Sequence, residues 1–201
     1  MKKIILAVFC FMLMSFCSKA QSLTDNSMTF YGVDFSLAKM VGESGFPDVK
    51  DLKVKFSAWN ALFKSEPDKY DLHKAFKKDK VDLEFNTVNS HNDAVSISDL
   101  VTNNDYNITS TQVETLVKNF DTQGKSGLAC LFVVSSFDKN KVTSTIYVVI
   151  FDAATKKILV NKKMEEKPGG FGLRNYWAKA ICNTIEDCQS LYKKWLKGKD
   201  L

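Results

Sequence analysis

The sequence predicts an α+β fold: a largely antiparallel, mixed five-stranded sheet covered by helices, in the order β-α-α-β-α-β-β-β-α with a long C-terminal helix. Three observations lead there. "MTFYGVDFSLAKMVG" (28–42) and "KVDLEFNTVN" (80–89) alternate apolar and polar residues with the period of half-buried strands. Between 127 and 165, three apolar stretches are joined only by "DKNK" and "AAT", links of the length that antiparallel hairpins use. From about 172 to 197, Leu173, Trp177, Ile181, Ile185, Cys188, Leu191, Tyr192 and Trp195 form one stripe at about 100° per residue, an amphipathic helix able to cover the sheet.

The remaining elements follow in order. In the first strand Tyr31, Val33, Phe35 and Leu37 oppose Gly32, Asp34, Ser36 and Ala38. A helix then spans "PDVKDLKVKFSAWNALFKSEP", with Asp48 or Asp51 as cap, an apolar side of Val54, Trp59, Leu62 and Phe63, and Pro67 as its stop. A shorter helix pairs Leu72 with Phe76. The second strand carries Val81, Leu83 and Phe85; the turn-rich "NSHND" and "TNNDYN" then flank an extended "AVSISDLV". "TSTQVETLVKNF" reads as a helix capped by Ser110 or Thr111, with Glu114 closing a capping box. "GLACLFVVSSF" is apolar on both alternating sets and suits mid-sheet. "KVTSTIYVVIFD" is more one-sided, with Val142, Ile146, Val148 and Ile150 on one face.

The first 20 residues, "MKKIILAVFCFMLMSFCSKA", read as a secretory signal peptide: Lys2 and Lys3, an apolar run from Ile4 to Phe16, and small residues before a cut after Ala20. The apolar run is too short for a bilayer core that takes ~20 helical residues. A lipid anchor on Cys17 is disfavoured, because the bulky Phe16 precedes it. The expected product is a single α+β domain, residues 21–201, periplasmic or secreted. Cleavage removes Lys2, Lys3 and Lys19 and no acid, taking the formal charge from +5 to +2. One arginine, Arg174, remains among many lysines, which argues against nucleic acid as a partner. Three cysteines remain, Cys130, Cys182 and Cys188. The last two stand about 9 Å apart along one helix, beyond disulfide reach, so either Cys130 pairs with one of them or all three are buried thiols.

"EEKPGGFGLRNYWAKAI" (165–181) raises the question of a phosphate cradle. Asn175 stands where a dinucleotide fingerprint needs its third glycine, and no strand follows, so the glycines are expected to serve a sharp strand-to-helix turn. Open N–H groups at a helix start remain a candidate anion or partner contact, formed by Gly170, Gly172, Arg174 and Tyr176. "QGKSG" (123–127) lacks the first P-loop glycine and reads as a turn. The two histidines, His73 and His91, lack metal-ligand spacing, and no catalytic triad or cofactor motif is present. Asp34, Glu84 and Asp152 are the carboxylates placed for acid–base work, each expected to point outward into solvent, with Asp152 holding a turn.

"VVIFDAATKKILVNKK" followed by "GGFGLRNYWAKAI" resembles small uncharacterised secreted proteins of Gram-negative bacteria. The element order is similar to that of the α/β domains of the curli-secretion lipoprotein, the penicillin-binding-protein activators and the amino-terminal domain of the Tol-system propeller protein. That resemblance implies a non-enzymatic envelope adaptor binding a protein or glycan partner, with no cofactor. The alternative is a small-ligand binder or hydrolase with an aromatic pocket between sheet and helix, lined by Phe35, Trp59, Tyr147 and Trp177.

Overall fold

The computed structural model describes residues 22–201. The expected leader, with Cys10 and Cys17, and the expected start at Gln21 lie outside the described residues. A helix after a strand returns the chain to the end where the strand began, so the next strand runs parallel; a short link reverses it. β1 (Ser27–Asp34) and β2 (Lys39–Val41) are followed by α1 (Leu52–Ser65), α2 (Leu72–Phe76) and β3 (Lys80–Leu83). Then come α3 (Asn86–Ala94), β4 (Val101–Thr102), α4 (Ser110–Asn119), β5 (Leu128–Asp138), β6 (Thr143–Asp152), β7 (Ile158–Glu166) and α5 (Leu173–Trp195).

The sheet has seven strands, and the path β3-β1-β5-β2-β4 is parallel throughout. This overturns the expectation of a largely antiparallel five-stranded sheet. Only β5, β6 and β7, with their short links, pair antiparallel. Every other strand pair is separated in the chain by a helix or a longer excursion, and runs parallel for that reason. β6 occupies one edge of β5 along its whole length, so β1 and β2 share the other edge end to end. β3 and β4 lie outside them in the same way. The stretch read as one strand, 28–42, is thus two, separated by a step at 35–38 where the Ala38 N–H donates to the Phe35 carbonyl at 3.0 Å.

The expected second strand also ends early. It stops at Leu83, and Asn86–Ala94, read as strand end and turn, is helix. In α1 the buried face is Leu52, Phe56, Trp59 and Phe63, spaced at helical intervals, while Val54 is 65% exposed. α4 is capped one residue earlier than expected, by Thr109, with Gln112 completing the box in place of Glu114. The α5 stripe is as read: Trp177, Ile181, Ile185, Cys188, Tyr192 and Trp195 are all buried. β6 is covered on both faces, not one: Ile146, Val148 and Ile150 face the α1/α5 layer, and Tyr147, Val149 and Phe151 face the α4 layer. Cys130, Cys182 and Cys188 are free, buried thiols.

The end of β1 is shaped by a bulge. The β1–β5 register slips between Phe30 and Val33, so Phe30, Val33 and Phe35 share one face while Tyr31 turns to the other. Gly32 makes this possible with φ +104°, and a Cβ there would stand 2.6 Å from Asn60 Oδ1. Two buried asparagines grip the bulged backbone from two helices. Asn60 of α1 accepts from Val33 N at 2.7 Å and donates to Val33 O at 3.0 Å. Asn92 of α3 donates to Val33 O at 3.1 Å and accepts from Phe35 N at 2.7 Å. Asp34, expected in solvent, is 0% exposed: Oδ2 meets His91 Nδ1 at 2.7 Å, and Oδ1 accepts from Ser36 N at 2.8 Å. Asp34 in the interior has its oxygens satisfied by hydrogen bonds, which is what permits its burial.

Two predictions follow from this cluster. Gly32→Ala imposes a disfavoured φ and a clash with Asn60, and should cost about 2–3 kcal/mol, a fall of about 5–10 °C in the thermal midpoint. The hydrogen bond to Asp34 raises the pKa of His91 above its ordinary 6.5, against the opposing pull of burial. A raised folded value means that the pair's contribution is fully present below about pH 6.5 and is lost as pH climbs through the higher folded pKa. In urea unfolding, His91→Gln should therefore trail the wild type by about 3 kcal/mol at the acid end, and the gap should narrow above neutrality.

Candidate functional site

β7 delivers the chain to residues 167–172, "KPGGFG", from which α5 departs. Both ends of this loop are pinned to α5: Asn183 Nδ2 donates to the Lys167 carbonyl at 3.0 Å and Gly169 N–H donates to the Tyr176 carbonyl at 2.9 Å on one side, and the Gly172 carbonyl accepts from Tyr176 N–H at 2.9 Å on the other. Gly170 and Gly172 take φ values of +102° and +78°, which a side chain would resist. The residue between them is thrust outward. Phe171 is 94% exposed, more than any other large apolar side chain described.

The predicted contact residues surround it. Arg174 lies with Asp48, Asp51 and Lys55 around a cleft of about 350 Å³ on one side of Phe171. Tyr176 lies with Gly45, Lys139 and Trp177 around a second cleft of about 330 Å³ on the other. The Lys139 ammonium sits 3.9 Å from the centre of the Tyr176 ring, a cation–π contact that fixes both groups. The Arg174 guanidinium donates to Asn175 Oδ1 at 3.2 Å, and the Arg174 carbonyl accepts from Trp59 Nε1 at 2.8 Å, tying α1 to the start of α5. Gly172 is the N-cap and offers no side-chain cap. Tyr176 is half-buried rather than the freely exposed contact that the helical stripe suggests.

Beneath the loop lies an aromatic stack. Trp177 stacks on Phe137 at 4.5 Å between ring centroids and on Phe46 at 5.8 Å, and its buried Nε1 finds no acceptor among the described residues. Glu166, the last residue of β7, has its pKa pushed up to about 7 by burial and by the neighbouring carboxylates of Asp187 and Glu186, with Lys179 opposing. The carboxyl at the foot of the loop thus keeps its proton to higher pH than an ordinary glutamate.

The other sequence candidates scatter. Phe35, Trp59 and Trp177 are fully buried and packed together with Phe56 and Phe137, and Tyr147 lies on the opposite face of the sheet with its hydroxyl on the Ile108 carbonyl at 2.9 Å. These four rings are core and line no common pocket. Asp152 Oδ1 accepts from Ala154 N and Thr155 N at 3.0 and 2.7 Å, the turn role expected of it, but the residue is buried and not turned out into solvent as expected. Glu84 caps the start of α3 through Asn86 N at 3.1 Å. "QGKSG" is a turn leading into β5. Among the described residues no group of three or more His, Cys, Asp or Glu side chains is placed to hold a metal ion, and no helix is long and apolar enough to cross a membrane.

Sequence reasoning missed two features. One is Phe171, whose signal is an aromatic residue bracketed by glycines and outside any apolar period. The other is the Asp34–His91 pair, 57 residues apart in the chain. Set against known protein families and curated proteins, the chain matches none.

Proposed function

We propose that this chain is an exported, non-enzymatic binding domain that engages a protein partner through the loop before α5, with Phe171 as its anchor. The observation that carries the reading is the 94% exposure of Phe171 on a loop pinned at both ends. A solvated phenyl ring gains nothing for the fold. Inserted into a partner's apolar socket it gains ~2 kcal/mol or more, as central aromatic anchors do. Because the loop is already held by α5, little ordering cost opposes that gain. Arg174 and Tyr176, one beside each cleft, supply the polar rim that such contacts use. The leader-like residues 1–20 support an address in the periplasm or outside the cell.

Capture from envelope extracts by the tagged protein, read by mass spectrometry, tests the proposal. Phe171→Ala should reduce retention of the partner at least tenfold. Its unfolding midpoint should match the wild type, since the ring is 94% exposed. Arg174→Ala and Tyr176→Ala should each weaken retention less. Retention that is indifferent to Phe171→Ala would sink the reading.

A further inference from the structure

A separate cleft, of about 470 Å³, opens where the outer parallel strands are interrupted. β3 leaves the sheet at Leu83, β4 resumes at Val101, and β1 gives way to β2 beside that gap. Its walls come from the 35–38 step, β2, the end of α3 and the segment before β4. The notch lies just past the carboxyl end of β1 and before the amino ends of β2 and β4. Here the notch contains a built polar group. His91 lines the cleft, and its Nδ1 is committed to the fully buried Asp34 at 2.7 Å, which leaves Nε2 as the ring nitrogen available to a ligand. Asp34 cannot turn away, since Ser36 N holds its other oxygen.

We infer that this cleft binds a small carboxylate with a short apolar body: the acid group takes hydrogen bonds from His91 Nε2–H and the Lys39 ammonium, and the body lies against Ala38, Val95 and Leu100. The charged groups around it balance when His91 is protonated: Asp34 faces His91 from β1 and is spent on it, Lys39 comes from β2 and bonds the Asp99 main-chain carbonyl, and Asp99 is the acidic side chain on the wall. What selects an anion is the pair of donors, His91 Nε2–H and the Lys39 ammonium, on residues that line the cleft. The bond to Asp34 also raises the His91 pKa, so the ring carries its Nε2 proton further toward neutral pH than an ordinary histidine. The four apolar side chains on the wall, Ala38, Ala94, Val95 and Leu100, suit an aliphatic body better than a fully hydrated ion such as phosphate.

The chain has two histidines, so imidazole ¹H–¹⁵N spectra report on the site directly, with His73, bonded to the Lys78 carbonyl, as internal control. Sodium butyrate is the probe, compared with n-butylammonium chloride and inorganic phosphate at matched ionic strength. Saturable shifts of His91 but not His73 in the millimolar range, a further rise in the His91 pKa, and affinity about fivefold weaker in Lys39→Gln are expected. Drift without saturation, or equal shifts with butylammonium, would overturn the site. Saturation by phosphate alone would overturn the carboxylate assignment. Because Phe171 is untouched in every arm, the result is independent of the partner reading.

Discussion

The fold turns on how one peptide unit, that of Val33, is held. Beyond the bulge at Gly32 β1 still pairs with β5 but no longer with β3, and an unpaired backbone there would be costly in a buried position. Asn60 and Asn92 replace the missing ladder, each with one donor and one acceptor in place. Since Asn60 sits on α1 and Asn92 on α3, the same four bonds fix both helices against the sheet. Asp34 and His91 extend the arrangement by one residue and bring α3 into contact with the outer cleft. Register, helix placement and the polar notch share one cause.

How much of this the sequence disclosed depends on how local each feature is. The three strands from 128 to 166 and the long α5 are legible because short links and a sustained apolar stripe need no distant partner to declare themselves. α3 was hidden: "NTVNSHNDA" is composed of residues that favour turns, and it is helical because Val88 and Asn92 are buried against β1 and its neighbours. β2 and β4 are too short to show a period, and exist because β5 is long enough to carry two strands on one edge. The alternation in 28–42 looked continuous, yet Gly32 had already moved Tyr31 to the far face.

The candidate contacts divide in the same way. Gly170 and Gly172 announced a turn, and they are one; what composition could not say is that the turn leaves Phe171 almost wholly exposed. Trp177 announced packing and lies fully buried in an aromatic stack. The pairing of Asp34 with His91 needs the α3 helix to exist before it can be seen, so an error in one element concealed the chemistry of another.

The three buried thiols turn the molecule into its own unfolding gauge. Cys130 lies in the central strand β5 and Cys188 in α5 across the core from the sheet, both without exposed surface. A thiol reagent in solution can reach them only through openings that part α5 from the sheet, so their rates of modification measure how often and how far that seam separates. Cys182, also buried, donates to Glu186 Oε1 at 3.3 Å and to the Lys69 carbonyl at 3.7 Å, so it reports on the contact between α5 and the segment before α2. One chain therefore holds reporters on two contacts of a single helix, one against the sheet and one against the segment before α2.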